Sequence, residues 1–343
     1  MPNALQLRAA YFIERARVID PKSILERAKA TARQHGKAWP VVLADMLQEA
    51  ARFGTNFQDY CDWDFALLSN AERRTYVTNA ISAFLVEKYN DPAHFRRLED
   101  KVEFNKGFGD ALHRDWLIVD ESTTEELREF MTRQGKAIAK VPVSNSGYGV
   151  DLYRAEDVDD WEAFRAMLLE RGQTLLEEYI VQHDALMAVA PGTVNTTRVT
   201  SWWDGERMHL LSFAQKFGVG EGASDQQAFG GFFTLLDPSG RSMGPGYGSH
   251  QRIYANHPDT GASIVDFQLP MADQVLELCA EMAARIPEVP YIAWDVVVTP
   301  TGPVIVEGNR TPGAYENKPS ATGRRTGALR AFEKSIGFSY YAK

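Results

Sequence analysis

The sequence predicts an α+β protein behind a helical N-terminal region, and three observations carry that reading. Residues 1 to about 98 place apolar side chains at helical spacing. After "FRRLEDK" short strand-like runs alternate with helices. From Thr193 the chain alternates in strand fashion and later closes in a long apolar hairpin. Helices first, then mixed helices and strands with hairpins, is the pattern of an α+β architecture.

Each element follows from local signals. "PKSILERAKATARQHG" has Pro21 near a first turn and Gly36 as a stop. In "SNAERRTYVTNAISAFLVEKYN", Ser69 and Glu72 form a capping-box pattern, which predicts one helix running to Asn90. Residues 117–119 and 137–143 read as strands around the helical "TTEELREFMTRQG". The helix "WEAFRAMLLERG" and the strand "TLLEEYI" come next. "TRVTSWW" and "MHLLSFAQKF" are strands, then a Gly-rich loop leads to more strand and to the helix "MADQVLELCAEMAARI". No internal repeat or low-complexity tract interrupts this order.

The bulk numbers exclude several classes. At roughly 100–200 residues per domain, 343 residues suggest two or three. A net charge of −9 argues against a nucleic-acid-binding surface. Cys61 and Cys279 make neither a disulfide framework nor a zinc pattern, and both are expected as buried thiols. No stretch approaches the ~18 apolar residues of a membrane span. The N-terminal "MPNALQLRAAYFIERARV" carries charges where a signal peptide needs an apolar core, so a cytoplasmic protein is expected.

Four stretches carry candidate chemistry. In "AKVPVSNSGYGV", Lys140 ends a strand before a Ser/Gly loop that can turn backbone N–H groups toward phosphate; it also reads as a plain hairpin turn. In "LLEEYIVQHDAL", Glu177, Ile180 and Asp184 could serve adenine and ribose, or form a solvated strand end. Arg198 and Lys216 lie within apolar strands and call for an anionic partner, which a carboxylate of the protein could equally supply. The stretch "GVGEGASDQQAFGGFFTLLDPSG" suits a mobile flap or a simple connection.

The hairpin "AWDVVVTPTGPVIVEGNRTPG" is the most specific. With a loop of Pro300 to Gly302, Thr299 pairs with Pro303, Asp295 falls opposite Glu307, and Asn309 shares that face. Like charges directly opposed destabilise a sheet, so a compensating cation is expected. Asp295, Glu307 and Asn309 offer only oxygen ligands, as Mg2+ prefers. An ion pair with Arg310 or Arg198 is the alternative.

Taken in order, these features resemble the ATP-grasp superfamily, and within it the sugar-transfer-associated ATP-grasp group. The resemblance runs from about residue 55 to 325 through "LSNAERRTYV", "LEDKVEFNKGF", "SNSGYGV", "EEYIVQH", "VNTTRV", "DQQAFGGFF", "HPDTG" and "YIAWDVVVTPTGPVIVEGNRTPG". It implies an ATP-grasp fold, two α+β lobes with ATP between them, after a helical region at 1–98. The first lobe is expected at 99–176 and the second at 177–343.

The resemblance also implies roles. Lys101 and Lys140 look like the lysines that grip ATP phosphates, with Lys106 as an alternative to Lys101. Ser144, Ser146 and Gly147 look like the flap. Glu177, with Glu178 beside it, and Ile180 match the adenine hinge, and Asp184 the ribose contact. Arg198 and Lys216 look like basic groups facing the γ-phosphate or the bound acid. Asp295, Glu307 and Asn309 match ligands of Mg2+, with Mn2+ as a substitute, and Arg310 and the "TPGAYENKPS" loop read as substrate-side. Two positions depart from the pattern: Val141-Pro142 stands where members usually carry Lys-Pro, and Tyr148 replaces a smaller residue.

The activity implied is an ATP- and Mg2+-dependent carboxylate–amine ligase acting through an acylphosphate. Its setting would be bacterial surface-polysaccharide or peptide-conjugate synthesis, with an amino acid or amino sugar as one small-molecule partner. A phosphotransferase and a nucleotide-binding regulator without turnover are the alternatives. His257 is the histidine marked for a substrate role, and an oligomer is compatible with the sequence.

Overall fold

The computed structural model describes residues 20–144, 149–220, 225, 229–248 and 251–341. Helices fill the chain from Pro21 to Ala111. Asp20 caps Pro21–Gln34 by accepting from the backbone N–H groups of Lys22 and Ser23 at 3.0 and 3.3 Å. The Ser69–Glu72 capping box forms, but the helix expected to reach Asn90 divides. Its parts are Asn70–Arg73 and Asn79–Tyr89, the second recapped by Thr78. The cause is tertiary. Tyr76 and Val77 are buried, and the Val77 N–H donates to the Glu316 carboxylate at 2.7 Å rather than to a helical carbonyl.

The smaller sheet is antiparallel with strand order β1-β4-β2-β3. Its strands are β1 (Trp116–Ile118), β2 (Lys136–Lys140), β3 (Val150–Arg154) and β4 (Leu175–Glu178). Helices Thr124–Gln134 and Trp161–Glu170 supply Leu127, Phe130, Met131, Phe164 and Leu168 to its core. β2 stops at Lys140 rather than Val143, because Pro142 has no N–H to give a ladder.

The larger sheet is also antiparallel, in the order β11-β10-β5-β6-β7-β8-β9. It comprises β5 (Thr197–Trp203), β6 (Met208–Phe217), β7 (Phe232–Leu235), β8 (Gly246–Gly248), β9 (Ile253–Tyr254), β10 (Tyr291–Thr299) and β11 (Gly302–Asn309). Side chains alternate between its faces. Val199, Phe213, Phe217, Trp294 and Val296 share one apolar core with Val275, Leu278 and Met282 of the helix Ala272–Ala284. The other face carries Glu307, Asp295, Arg198 and Ala214, which are neighbours in register across four strands.

The hairpin turn is tighter than expected. Thr299 pairs with Gly302, not Pro303, yet Asp295 still faces Glu307. A β-bulge between Asp295 and Val296 absorbs the one-residue difference by leaving Val306 extra on β11.

The N-terminal helical region packs on both faces of the larger sheet: Leu98, Phe104 and Phe108 join the apolar core, and an earlier part covers the polar face beyond Lys216. Trp63, Phe65 and Tyr76 cluster with Ala214, Phe233 and Tyr247. Both cysteines are buried free thiols. Among the described residues, no helix is long and apolar enough to cross a membrane.

Candidate functional site

Two groups of charge meet where the sheets approach. On the larger sheet, Asp295 is 4% exposed. Its Oδ2 lies 3.3 Å from Lys216 Nζ, and Arg198 Nε approaches Oδ1 at 3.0 Å. That approach is off the hydrogen-bond direction, so Oδ1 and Arg198 Nε and Nη1 are buried without a hydrogen bond. Burial pushes the Asp295 carboxyl up, but Arg198 and Lys216 outweigh it and hold the group below its ordinary range. Burial likewise works against the charge on Lys216, yet Asp295 and Asp225 raise it overall. Asp225 Oδ1 stands 3.7 Å from Lys216 Nζ and its Oδ2 accepts from the Thr196 N–H and hydroxyl at 2.7 and 2.6 Å.

Asn309 Nδ2 donates to Glu307 Oε1 at 3.2 Å and reaches Asp295 Oδ2 at 3.5 Å. The expected opposition of acids is therefore present, and part of its compensation is the ion pair with Arg198. Among the described residues, no three His, Cys, Asp or Glu side chains gather closely enough to hold an ion by themselves. The oxygen-donor set of Asp295, Glu307 and Asn309 nonetheless fits a hard cation that takes its remaining oxygens from phosphate and water.

On the smaller sheet, Glu177 is 3% exposed and is a hub. Oε1 accepts from Arg114 Nη2 and from Asn105 Nδ2, both at 2.8 Å, and Oε2 accepts from Lys140 Nζ. Burial opposes the charge, but Arg114 and then Lys140 hold the carboxyl far below its ordinary range. Lys101 donates through Nζ to the Ser144 carbonyl at 2.9 Å and to its hydroxyl at 3.1 Å. Its pKa is lowered by burial, against the pull of Glu307. The two lysines thus bracket the start of the Ser/Gly loop, from opposite elements. Ser146 and Gly147, and residues 221–224 and 226–228 of the expected lid, lie outside the described residues.

Several candidates stand elsewhere. Arg310 turns from the cluster to pair with Glu99 and to lie 4.7 Å from the Phe95 ring centroid. Lys106 is exposed and pairs with Glu121. Glu178, on the face of β4 opposite Glu177, lines a cavity of about 520 Å³ with His113, Arg114, Asp115 and Arg133. Ile180 is half-buried after β4, and Asp184 is exposed at the start of the helix Asp184–Val189. His257 is not on the polar face: Nε2–H donates to the Gly218 carbonyl at 2.7 Å, Nδ1 accepts from the Asp259 N–H at 3.3 Å, and Phe217 and Phe232 pack around the ring.

The structure adds Arg114, Asn105, Asp225 and Tyr315. Asn105 and Asp225 lie inside the quoted motifs without an assigned role, whereas "LHRDW" gives no signal for Arg114. Tyr315 places its ring 5.5 Å from the Arg198 guanidinium. The rest of its loop turns inward, with Lys318 Nζ donating to Asp64 Oδ1 at 2.7 Å and to the Asp62 carbonyl at 2.9 Å.

Known proteins give a partial match. A family model described as "Sugar-transfer associated ATP-grasp" matches residues 163–328. Among solved structures, the chain is similar to D-alanyl-alanine synthetase A from Vibrio cholerae O1 biovar eltor, at 13% identity and TM-score 0.42, over 74% of this chain and 67% of that one. It is similar to D-alanine–D-alanine ligase from Bacillus anthracis at 14% identity and TM-score 0.40, over 76% and 71%. The ATP-grasp ligase PsnB, complexed with a phosphomimetic variant of minimal precursor, Mg and ADP, gives 14% identity and TM-score 0.39, over 74% and 65%. No curated protein matches the chain.

Proposed function

Starting from an ATP-grasp protein that resembles the sugar-transfer-associated group over residues 163–328, we propose an ATP- and Mg2+-dependent carboxylate–amine ligase. The observation that carries this reading is the juxtaposition of two lysines, Lys101 and Lys140, with an acid–amide set, Asp295, Glu307 and Asn309. The first suits phosphate and the second suits its cation. The cation, when bound, neutralises phosphate charge and orients the transferring group.

The residues of this chain supply position and electrostatics. Lys140, held by Glu177, and Lys101 steady the phosphate chain. Asp295, Glu307 and Asn309 would hold the cation, and Arg198 and Lys216 present positive charge beside Asp295 for the γ-phosphate or the substrate carboxylate. A carboxylate oxygen of the acid attacks the γ-phosphorus as the bond to the bridging oxygen of ADP breaks. The amine nitrogen then attacks the acyl carbon, the carbon–oxygen bond breaks, phosphate leaves, and the nitrogen loses a proton. No protein nucleophile is needed.

We assign adenine and ribose to the hinge after β4, with Glu177 acting through Lys140 and with Ile180 and Asp184 along it. The setting proposed is cytoplasmic synthesis of bacterial surface polysaccharide or peptide conjugates, with an amino acid or amino sugar among the substrates. Incubation with ATP, Mg2+ and pooled amino acids tests the reading. Phosphate release that requires both an acid and an amine supports it. A stable phosphorylated product would instead indicate a phosphotransferase.

A further inference from the structure

Arg114 lies on the segment between the helix Lys101–Phe108 and β1, and its side chain is 1% exposed. The guanidinium touches both sheets. Toward the smaller one, Nη2 donates to Glu177 Oε1 at 2.8 Å. Toward the larger one, Nη1 donates to the Ile305 carbonyl and Nη2 reaches the Val306 carbonyl at 3.4 Å. Val306 is the extra residue of the β11 bulge, and Glu307 follows it directly. Glu177 in turn holds Lys140. An unbroken path of contacts therefore runs from Lys140 through Glu177 and Arg114 to the backbone beside Glu307.

Charge neutralisation does not require this arrangement. Lys140 already pairs with Glu177, and Asn105 also donates to it. One carboxylate against the two cations Arg114 and Lys140 leaves one net positive charge. What Arg114 adds is geometry: a rigid, planar fork reaches a carboxylate and two carbonyls at once, where a lysine is a single point charge. The bulge matters here too, because it presents the Ile305 and Val306 carbonyls off the regular ladder.

We propose that Arg114 is a positioning residue that fixes Lys140 and Glu307 relative to each other, so that nucleotide phosphates and their cation are gripped as a unit. The proposal rests on the nucleotide reading of the site given above. It makes Arg114 responsible for the extra affinity that Mg2+ confers on the nucleotide, rather than for affinity in general.

The test is calorimetric titration of the full chain with AMP-PNP, in Mg2+ and in EDTA, for wild type, Arg114→Lys, Glu307→Gln and the double variant. Coupled neighbours show interaction energies worth about a tenfold change in affinity. Arg114→Lys is therefore expected to cut the Mg2+-dependent gain in affinity by about tenfold, and to cut it no further in the Glu307→Gln background. An unchanged gain, or losses that simply multiply in the double variant, would overturn the proposal even if melting shows a weaker fold. Should Arg114→Lys fail to fold, Glu177→Gln, which keeps the side-chain shape and breaks the same path, is expected to lower the gain likewise. Wild-type protein that binds no AMP-PNP in either condition would overturn the nucleotide reading itself, a failure visible without any variant.

Discussion

Asp295 stands directly opposite Glu307 across β10 and β11, and Asn309 Nδ2 bridges the two carboxylates at 3.5 and 3.2 Å. Two acids in that relationship repel unless positive charge joins them. Arg198 and Lys216 pair directly with Asp295, which leaves the half-buried Glu307 as the carboxylate more available to a cation. Glu307→Gln is therefore expected to lower ATP turnover about a hundredfold. Its urea midpoint should stay near that of wild type, since the side chain is half-buried and keeps its shape. Turnover within twofold of wild type would remove Glu307 from the metal-side assignment.

Arg198→Met is predicted to destabilise the protein by about 3 kcal/mol in urea unfolding, because it strips a buried carboxylate of one partner. The pH dependence has a definite sign. Asp295 is held below its ordinary range, so the stabilisation it receives is present at neutral pH and is lost as pH falls through the lowered, folded-state pKa. The variant should show a shallower acid limb than wild type.

Gly308→Ala tests the packing behind the acids. A Cβ at this position would lie 2.9 Å from both Leu98 Cδ2 and Trp294 Cζ3, and 3.3 Å from Phe104 Cε2. The buried Leu98, Trp294 and Phe104 side chains would have to shift, at a cost of about 1–3 kcal/mol. Because Lys101 begins the helix that carries Phe104, AMP-PNP affinity should fall as well. A variant with wild-type stability would mean that those side chains yield freely.

Glu316 joins the helical region to the loop after the hairpin. It is fully buried, and its carboxyl accepts from the N–H groups of Val77 at 2.7 Å and Ala328 at 2.9 Å. Burial outweighs those bonds and raises its pKa from 4.5 to about 7. A raised folded-state pKa contributes stability that is fully present below the unfolded value and lost as pH rises to about 7. Glu316→Gln keeps an oxygen acceptor and cannot ionise. Wild type minus variant stability should therefore decline between pH 4.5 and 7, by on the order of 3 kcal/mol. A flat difference would contradict the buried, uncompensated carboxyl.

What was legible in the sequence was local. Period-two alternation placed Asp295, Glu307 and Asn309 on one face, and the Ser69–Glu72 spacing marked a real helix start. The acids lie opposite each other although the turn is one residue tighter than the pattern predicts, because a bulge at Val306 restores the register. Neighbourhood across long separations was not legible. Arg114 meets Glu177 from 63 residues away and Ile305 from 191, and nothing in "LHRDW" encodes either partner. Arg310 reads as a continuation of the site, but β11 ends at Asn309 and Arg310 pairs with Glu99. The split of the 69–90 helix had the same origin, a distant carboxylate taking the Val77 N–H.

In the proposed reaction, phosphate passes to a carboxylate before an amine displaces it. The most direct measurement uses pooled amino acids labelled with 18O in their carboxyl groups, together with ATP and Mg2+, and reads the isotopic mass of the phosphate released. Transfer of one labelled oxygen from acid to phosphate, with an amide as the other product, is the result expected. Unlabelled phosphate from a reaction that does form the amide would contradict the acylphosphate route, and label retained in a stable phosphorylated product would contradict the ligase.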